Sequence, residues 1–147
     1  MRAKDYLKQL ERVDLRISQK IDELAELRSK ALSIKSVNFG NEMVCSSSST
    51  EAAFIHPLSN ALILEAEIST ELDSFIQLKH KIINEIQGLK DARYINILYK
   101  RYVDFIKLED IASAMNYTYQ YTVELHGKAL QAFQITYKNL LKTYVEM

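Results

Sequence analysis

Apolar residues recur at three- and four-residue intervals through most of the chain, the spacing of one helix face and not of a strand. From residue 3 to 35 the stripe is Ala3, Leu7, Leu10, Ile17, Ile21, Leu24 and Ala31, with Asp14 and Arg28 as its charged interruptions. From 59 to 90 it is Ala61, Ile68, Leu72, Phe75, Ile82, Ile86 and Leu89, interrupted by Glu65 and Lys79. Each stripe predicts one long helix. The first would extend roughly 50 Å at ~1.5 Å per residue, and an isolated helix of that length needs a partner to cover its stripe.

The two stripes are suited to each other. An antiparallel register brings Leu7 to Ile86, Ile21 to Leu72, Leu10 to Ile82, Ile17 to Phe75, Leu24 to Ile68 and Ala31 to Ala61. The same register sets Asp14 against Lys79 and Arg28 against Glu65. A charge pair in such a seam adds little net stability but penalises other registers. The alternative is that each charged side chain snorkels to water. The expected first domain, residues 1–90, is therefore an antiparallel helical hairpin of coiled-coil type. A second apolar stripe, with Val13, Leu27 and Ile34 on one helix and Leu62, Ile76 and Ile83 on the other, is left without a partner. It packs either on the C-terminal helices or on a second copy of the chain, so a homodimer is one expectation.

Between the stripes, residues 36–58 change character. The run Ser46-Ser47-Ser48-Ser49-Thr50, with Gly40 and Pro57, predicts a flexible link. Cys45 in this link is the chain's one cysteine, so no intramolecular disulfide forms, and a reducing cytoplasm fits.

After residue 90 the periodicity shortens. Residues 91–106 predict a helix with Asp91 as N-cap and Ile95, Leu98, Tyr99 and Tyr102 on its inner face. Leu108 to Phe133 then reads as two helices joined by a tight turn. Ala112 is small enough for two backbones to approach. Asn116 tolerates a left-handed conformation. Ile111 and Met115 would face Thr122 and Leu125 across the turn. This is the layout of a helix-turn-helix, whose second helix enters the DNA major groove. An ordinary helical corner has the same spacing. Leu140, Leu141 and Tyr144 continue the second helix toward the C-terminus. Residues 91–147 form the expected second domain.

Composition narrows the class. With three glycines and one proline the chain has little punctuation for strands, and the fold class expected is all-α. Lys+Arg and Asp+Glu number 19 each, whereas a dedicated nucleic-acid binder is commonly basic. No run approaches the ~18 uninterrupted apolar residues of a membrane span, so a cytoplasmic protein with no membrane partner is expected. The nearest thing to a basic patch is Lys79, Lys81, Lys90, Arg93, Lys100, Arg101 and Lys107, and some of these lie on different helix faces. His56, His80 and His126 are scattered. No metal-ligand spacing, phosphate loop or nucleophile-base pair is present, so no catalytic site, metal or cofactor is expected.

The most specific pieces are Arg101-Tyr102, Leu108-Glu109-Asp110-Ile111-Ala112, Tyr117-Thr118 and Leu125-His126-Gly127-Lys128-Ala129-Leu130-Gln131-Ala132, with Ala3-Lys4-Asp5-Tyr6-Leu7 at the start. In these the chain resembles small phage and prophage proteins of Gram-positive bacteria that carry a C-terminal domain like region four of sigma factors. That group is related to ArpU-type and RinA-type late-gene regulators. The resemblance implies a DNA-binding transcriptional regulator, acting on double-stranded DNA and in contact with RNA polymerase or another regulator. The backbone-contacting residues it implies are Lys100, Arg101, Lys107 and Lys128. The groove-facing ones are Thr118, Tyr119, Gln120 and Val123, beside Glu124. The chain departs from the family where Arg or Lys opens the recognition helix, at Lys107 in the N-cap position, and at Thr122 in the helix-helix core. The rival class is a protein-interaction module in which the same helices bind a polymerase subunit or regulator and never DNA. A neutral or acidic Thr118–Lys128 face would favour that class.

Overall fold

The computed structural model describes residues 1–39 and 47–144, with side chains placed for 1–33 and 55–144. The fold is all-α, and no strand occurs among the described residues. Among the described residues seven α-helices follow in order: α1 (Ala3–Leu7), α2 (Gln9–Phe39), α3 (Ser47–Gln87), α4 (Ala92–Leu98), α5 (Leu108–Met115), α6 (Tyr119–Thr136) and α7 (Lys138–Thr143). A π-helical turn, Tyr99–Val103, continues α4.

The link expected at 36–58 is shorter than its composition implies. Helix α2 runs to Phe39, and Ser47 to Leu58 belong to α3, with Pro57 inside it. A proline removes one backbone donor from a helix but does not end it where the surrounding turns persist. Residues 40–46, including Cys45, lie outside the described residues.

Two compact units result, and the division does not fall at residue 90. One unit comprises Met1–Asp14 with the chain from Phe75 onward; the other is Leu15–Ser74. The boundaries fall within α2 and within α3, because the ends of the two stripes share a core with α4 to α7. Tyr6, Leu7, Leu10, Ile82 and Ile86 are wholly buried together with Ile97, Leu98, Ile111 and Phe133. Chain ends fasten this unit. Ala3 donates its backbone N–H to Gln134 Oε1 at 2.7 Å, and the terminal amine donates to the Leu141 carbonyl at 3.3 Å. Buried Tyr6 donates to Glu85 Oε2 at 2.7 Å, and burial followed by that carboxylate raises the phenol's pKa.

In the Leu15–Ser74 unit, α2 and α3 run antiparallel around Leu24, Ala61 and Leu64, flanked by Leu27 and Ile68. Arg28 pairs with Glu65. Lys20 bonds Glu71 at 2.7 Å and lies 3.7 Å from Glu67. Ala31 is buried as the stripe requires, but Ile21 and Leu72 are 50% and 43% exposed. A contact between two helices covers a narrow seam, and at this layer Lys20 and Glu71 close it while Ile21 and Leu72 turn outward. In the other unit, no ion pair joins Asp14 to Lys79 among the described residues.

Candidate nucleic-acid interface

The α5–α6 pair is built by local chemistry. Glu109 and Asp110 occupy the first turn of α5, where carboxylates complement the exposed N–H groups. Lys107 precedes it and makes no side-chain cap. Asn116 ends α5 in the left-handed region, φ 56° and ψ 37°, which lets Tyr117 N–H return to the Ala112 carbonyl at 2.9 Å. Thr118 caps α6 by accepting from Tyr121 N–H at 3.2 Å. The turn between the helices is thus three residues, Asn116, Tyr117 and Thr118.

Packing then fixes which side of α6 is free. Thr122, Leu125, His126, Ala129 and Phe133 are buried. At ~100° per residue these fall in one arc. Thr122 fits the core despite its hydroxyl, because that group donates to the Thr118 carbonyl at 2.9 Å. The opposite arc carries Gln120, Val123, Glu124, Gly127 and Gln131, all exposed, with Tyr119 at one margin and Lys128 at the other. A Cβ at Gly127 would meet nothing within 4 Å, so this arc is open space at its middle.

Of the eight residues the sequence assigns to the interface, five share this end of the molecule as exposed groups of α6 or its cap: Thr118, Tyr119, Gln120, Val123 and Lys128. Lys107 is exposed at the start of α5. Lys100 is half-buried in the π-helical turn, its carbonyl accepting from Ile106 N–H at 3.0 Å. Arg101 is half-buried in the same turn. Its guanidinium lies over the Tyr102 ring, 5.6 Å from the centroid, and its charge contributes to lowering the His126 pKa. The wide π-turn sets Tyr102 and Val103 into the core beside Ile97 and Leu98. Phe105, at φ 58°, closes the turn in a conformation that costs a bulky residue roughly 1–2 kcal/mol, and its ring packs on the core.

The basic patch is dispersed as well. Lys81 donates to the Tyr144 hydroxyl at 3.1 Å. Arg93 pairs with Asp91 at 3.1 Å and donates to the Tyr121 hydroxyl at 3.0 Å, beside the first turn of α6. Asp91 also caps α4 through Arg93 N–H, and these Arg93 contacts hold its carboxyl below the usual range. Two features at this end are invisible in the one-dimensional pattern. One is the placement of Arg93 against Tyr121. The other is the buried bond between Tyr102 and His126 at 2.8 Å. Neither pair has a spacing that suggests contact, since each joins separate elements.

Among the described residues no three His, Cys, Asp or Glu side chains are grouped to hold a metal ion, and no helix is long and apolar enough to cross a membrane. Compared with protein-family models, with curated proteins and with solved structures, the chain matches none.

Proposed function

We propose that α5 and α6 act as a helix-turn-helix that docks on double-stranded DNA with α6 in the major groove, in a transcriptional regulator of the phage type. The observation that carries this reading is the division of α6. One arc is sealed into the core, and the other is wholly free from its capped N-terminus onward, behind a turn of defined geometry. Gln120 is suited to pair with adenine N6 and N7, and Thr118 and Tyr119 reach phosphate through their hydroxyls. Exposed Lys107 and Lys128, with half-buried Lys100, neutralise backbone charge. The test is retardation of DNA fragments across a salt series. Binding that falls linearly with log salt supports the reading, because neutralised phosphates release counterions. No retardation at low salt overturns it for the protein alone.

A specific observation favours a second reading. The free arc holds one acid, Glu124, and one base, Lys128, a turn apart, and two exposed apolar side chains, Tyr119 and Val123. Such a neutral face suits a protein such as an RNA polymerase subunit or another regulator. Val123→Glu separates the readings. It abolishes capture of polymerase in the second and weakens DNA retention in the first.

A further inference from the structure

Arg93 stands in the first turn of α4 and is exposed, yet its guanidinium is held from two elements. Asp91 accepts from its Nε and Nη2, at 3.4 and 3.1 Å, and the Tyr121 hydroxyl of α6 accepts from Nη1 at 3.0 Å. Tyr121 is itself fixed, because its ring meets that of Tyr117 edge-on at 4.9 Å. Immobilising an exposed arginine costs side-chain entropy, and a surface ion pair returns little of it. A guanidinium carries five N–H groups. Three are used here, and one on each Nη has no acceptor among the described residues. The charge is thus presented in a fixed position with two donors unused, the form suited to a phosphate.

The place of this guanidinium against α6 is the second observation. Tyr121 and Lys128 are seven residues apart, so at ~100° and ~1.5 Å per residue they lie on one line along the helix, about 10 Å from each other. That line is the margin of the free arc that Lys128 marks. Glu124 lies between them and opposes phosphate at the middle of the edge, which separates the two contacts. We propose that Arg93, positioned by Asp91 and the Tyr121 hydroxyl, binds a backbone phosphate of double-stranded DNA beside the N-terminal end of α6, with Lys128 two turns further along the same edge. Phosphate contacts set register without reading sequence, and this one fixes how α6 enters the groove. The inference rests on the DNA-docking reading of α5 and α6. It adds a residue that counting faces on α6 cannot find, since Arg93 belongs to α4.

The test is binding of the full chain to short random-sequence double-stranded DNA across a salt series, with the folded fraction of each variant set by circular dichroism. Arg93→Gln should lower affinity about tenfold at ~0.1 M salt and reduce the salt slope by about one, as loss of one phosphate contact does. Tyr121→Phe keeps the ring against Tyr117. It should lower affinity about threefold in the wild type and change nothing in Arg93→Gln, because the hydroxyl acts through the guanidinium. Lys128→Ala is the control for the reading beneath. If it reduces the slope and Arg93→Gln does not, DNA docking stands and the assignment of Arg93 falls. Equal losses from Tyr121→Phe in both backgrounds overturn the positioning role of the hydroxyl. If the wild type binds no DNA at low salt, the docking reading and this inference fall together.

Discussion

The Tyr102 hydroxyl and His126 Nε2 share a hydrogen bond across 2.8 Å, joining the π-helical turn to the buried arc of α6. The rings stack at 5.7 Å between centroids. A neutral imidazole can accept or donate in that bond according to its tautomer; a protonated one can only donate. Burial, then Arg101, then Lys4 lower the His126 pKa to about 4. Burial raises that of Tyr102 to about 12.

The His126 shift predicts acid sensitivity. An unfolded histidine titrates near ~6.5, so between about 6.5 and 4 the unfolded chain binds the additional proton. Stability from this group is fully present above pH ~6.5 and falls away as pH drops toward 4. Its size is on the order of 2 kcal/mol once solvent screening at the ring's edge is counted. Urea unfolding across that range should show the slope, and His126→Leu should remove it. Carboxylates titrate in the lower part of the window, so the measure is the difference between the two proteins. Identical pH profiles would contradict the prediction.

Gly88, which follows the last residue of α3, should resist replacement. Its backbone has no positive φ, so the requirement is space. A Cβ would collide with the Tyr137 hydroxyl, which donates to the Glu85 carbonyl at 2.6 Å. Gly88→Ala should cost about 1–3 kcal/mol, as overpacking does. Tyr137→Phe, by removing the obstructing oxygen, should make the same change nearly harmless. Chemical denaturation of the four proteins of this cycle gives the answer; additive effects would mean that the two residues do not meet.

What was legible in the sequence was chemistry that acts within a few residues. Asp91 as a cap, Asn116 as the left-handed pivot and the inward Ile111 and Leu125 depend on neighbours a turn away. The heptad pattern also identified Leu7, Leu10, Leu24, Ala31, Ala61, Ile82 and Ile86 as buried. It misplaced Ile21 and Leu72, because spacing does not say how wide a seam two helices will cover. The π-turn shifted the phase after Leu98, so Arg101 could not be assigned a face by counting. Serine and proline content suggests a link over 36–58, whereas α2 runs to Phe39 and α3 begins at Ser47. Tyr102 with His126, and Arg93 with Tyr121, join residues from separate elements, and no local signal announces such contacts.

Charge pairs give a sharper test of the seam. Lys20 and Glu71 are each about three-quarters covered and lie 2.7 Å apart. Their mutual hydrogen bond raises the lysine's pKa and lowers the glutamate's. A double-mutant cycle with Lys20→Met and Glu71→Gln should therefore be non-additive, and the coupling should shrink with added salt. The corresponding cycle with Asp14→Asn and Lys79→Met should be additive, because those side chains form no ion pair. Coupling at the second pair and not the first would reverse the register assignment near that layer.

Arg101 and Gln120 should behave as different kinds of residue, though both lie in or beside the proposed DNA-binding module. Gln120 is exposed on the free arc of α6. Gln120→Ala should leave unfolding unchanged and relax preference at one base pair, by about 1–3 kcal/mol if the contact is bidentate. Lys107→Ala and Lys128→Ala should weaken all DNA sequences alike, each reducing the salt slope by about one. The Arg101 guanidinium lies 5.6 Å from the Tyr102 ring centroid, and its charge acts on His126. Arg101→Ala should keep both base preference and salt slope. Its effect should appear in acid unfolding, because removing that positive charge lets the His126 pKa rise toward its ordinary value and flattens the pH dependence. A salt slope lowered by Arg101→Ala as much as by Lys107→Ala would make the guanidinium a phosphate contact instead.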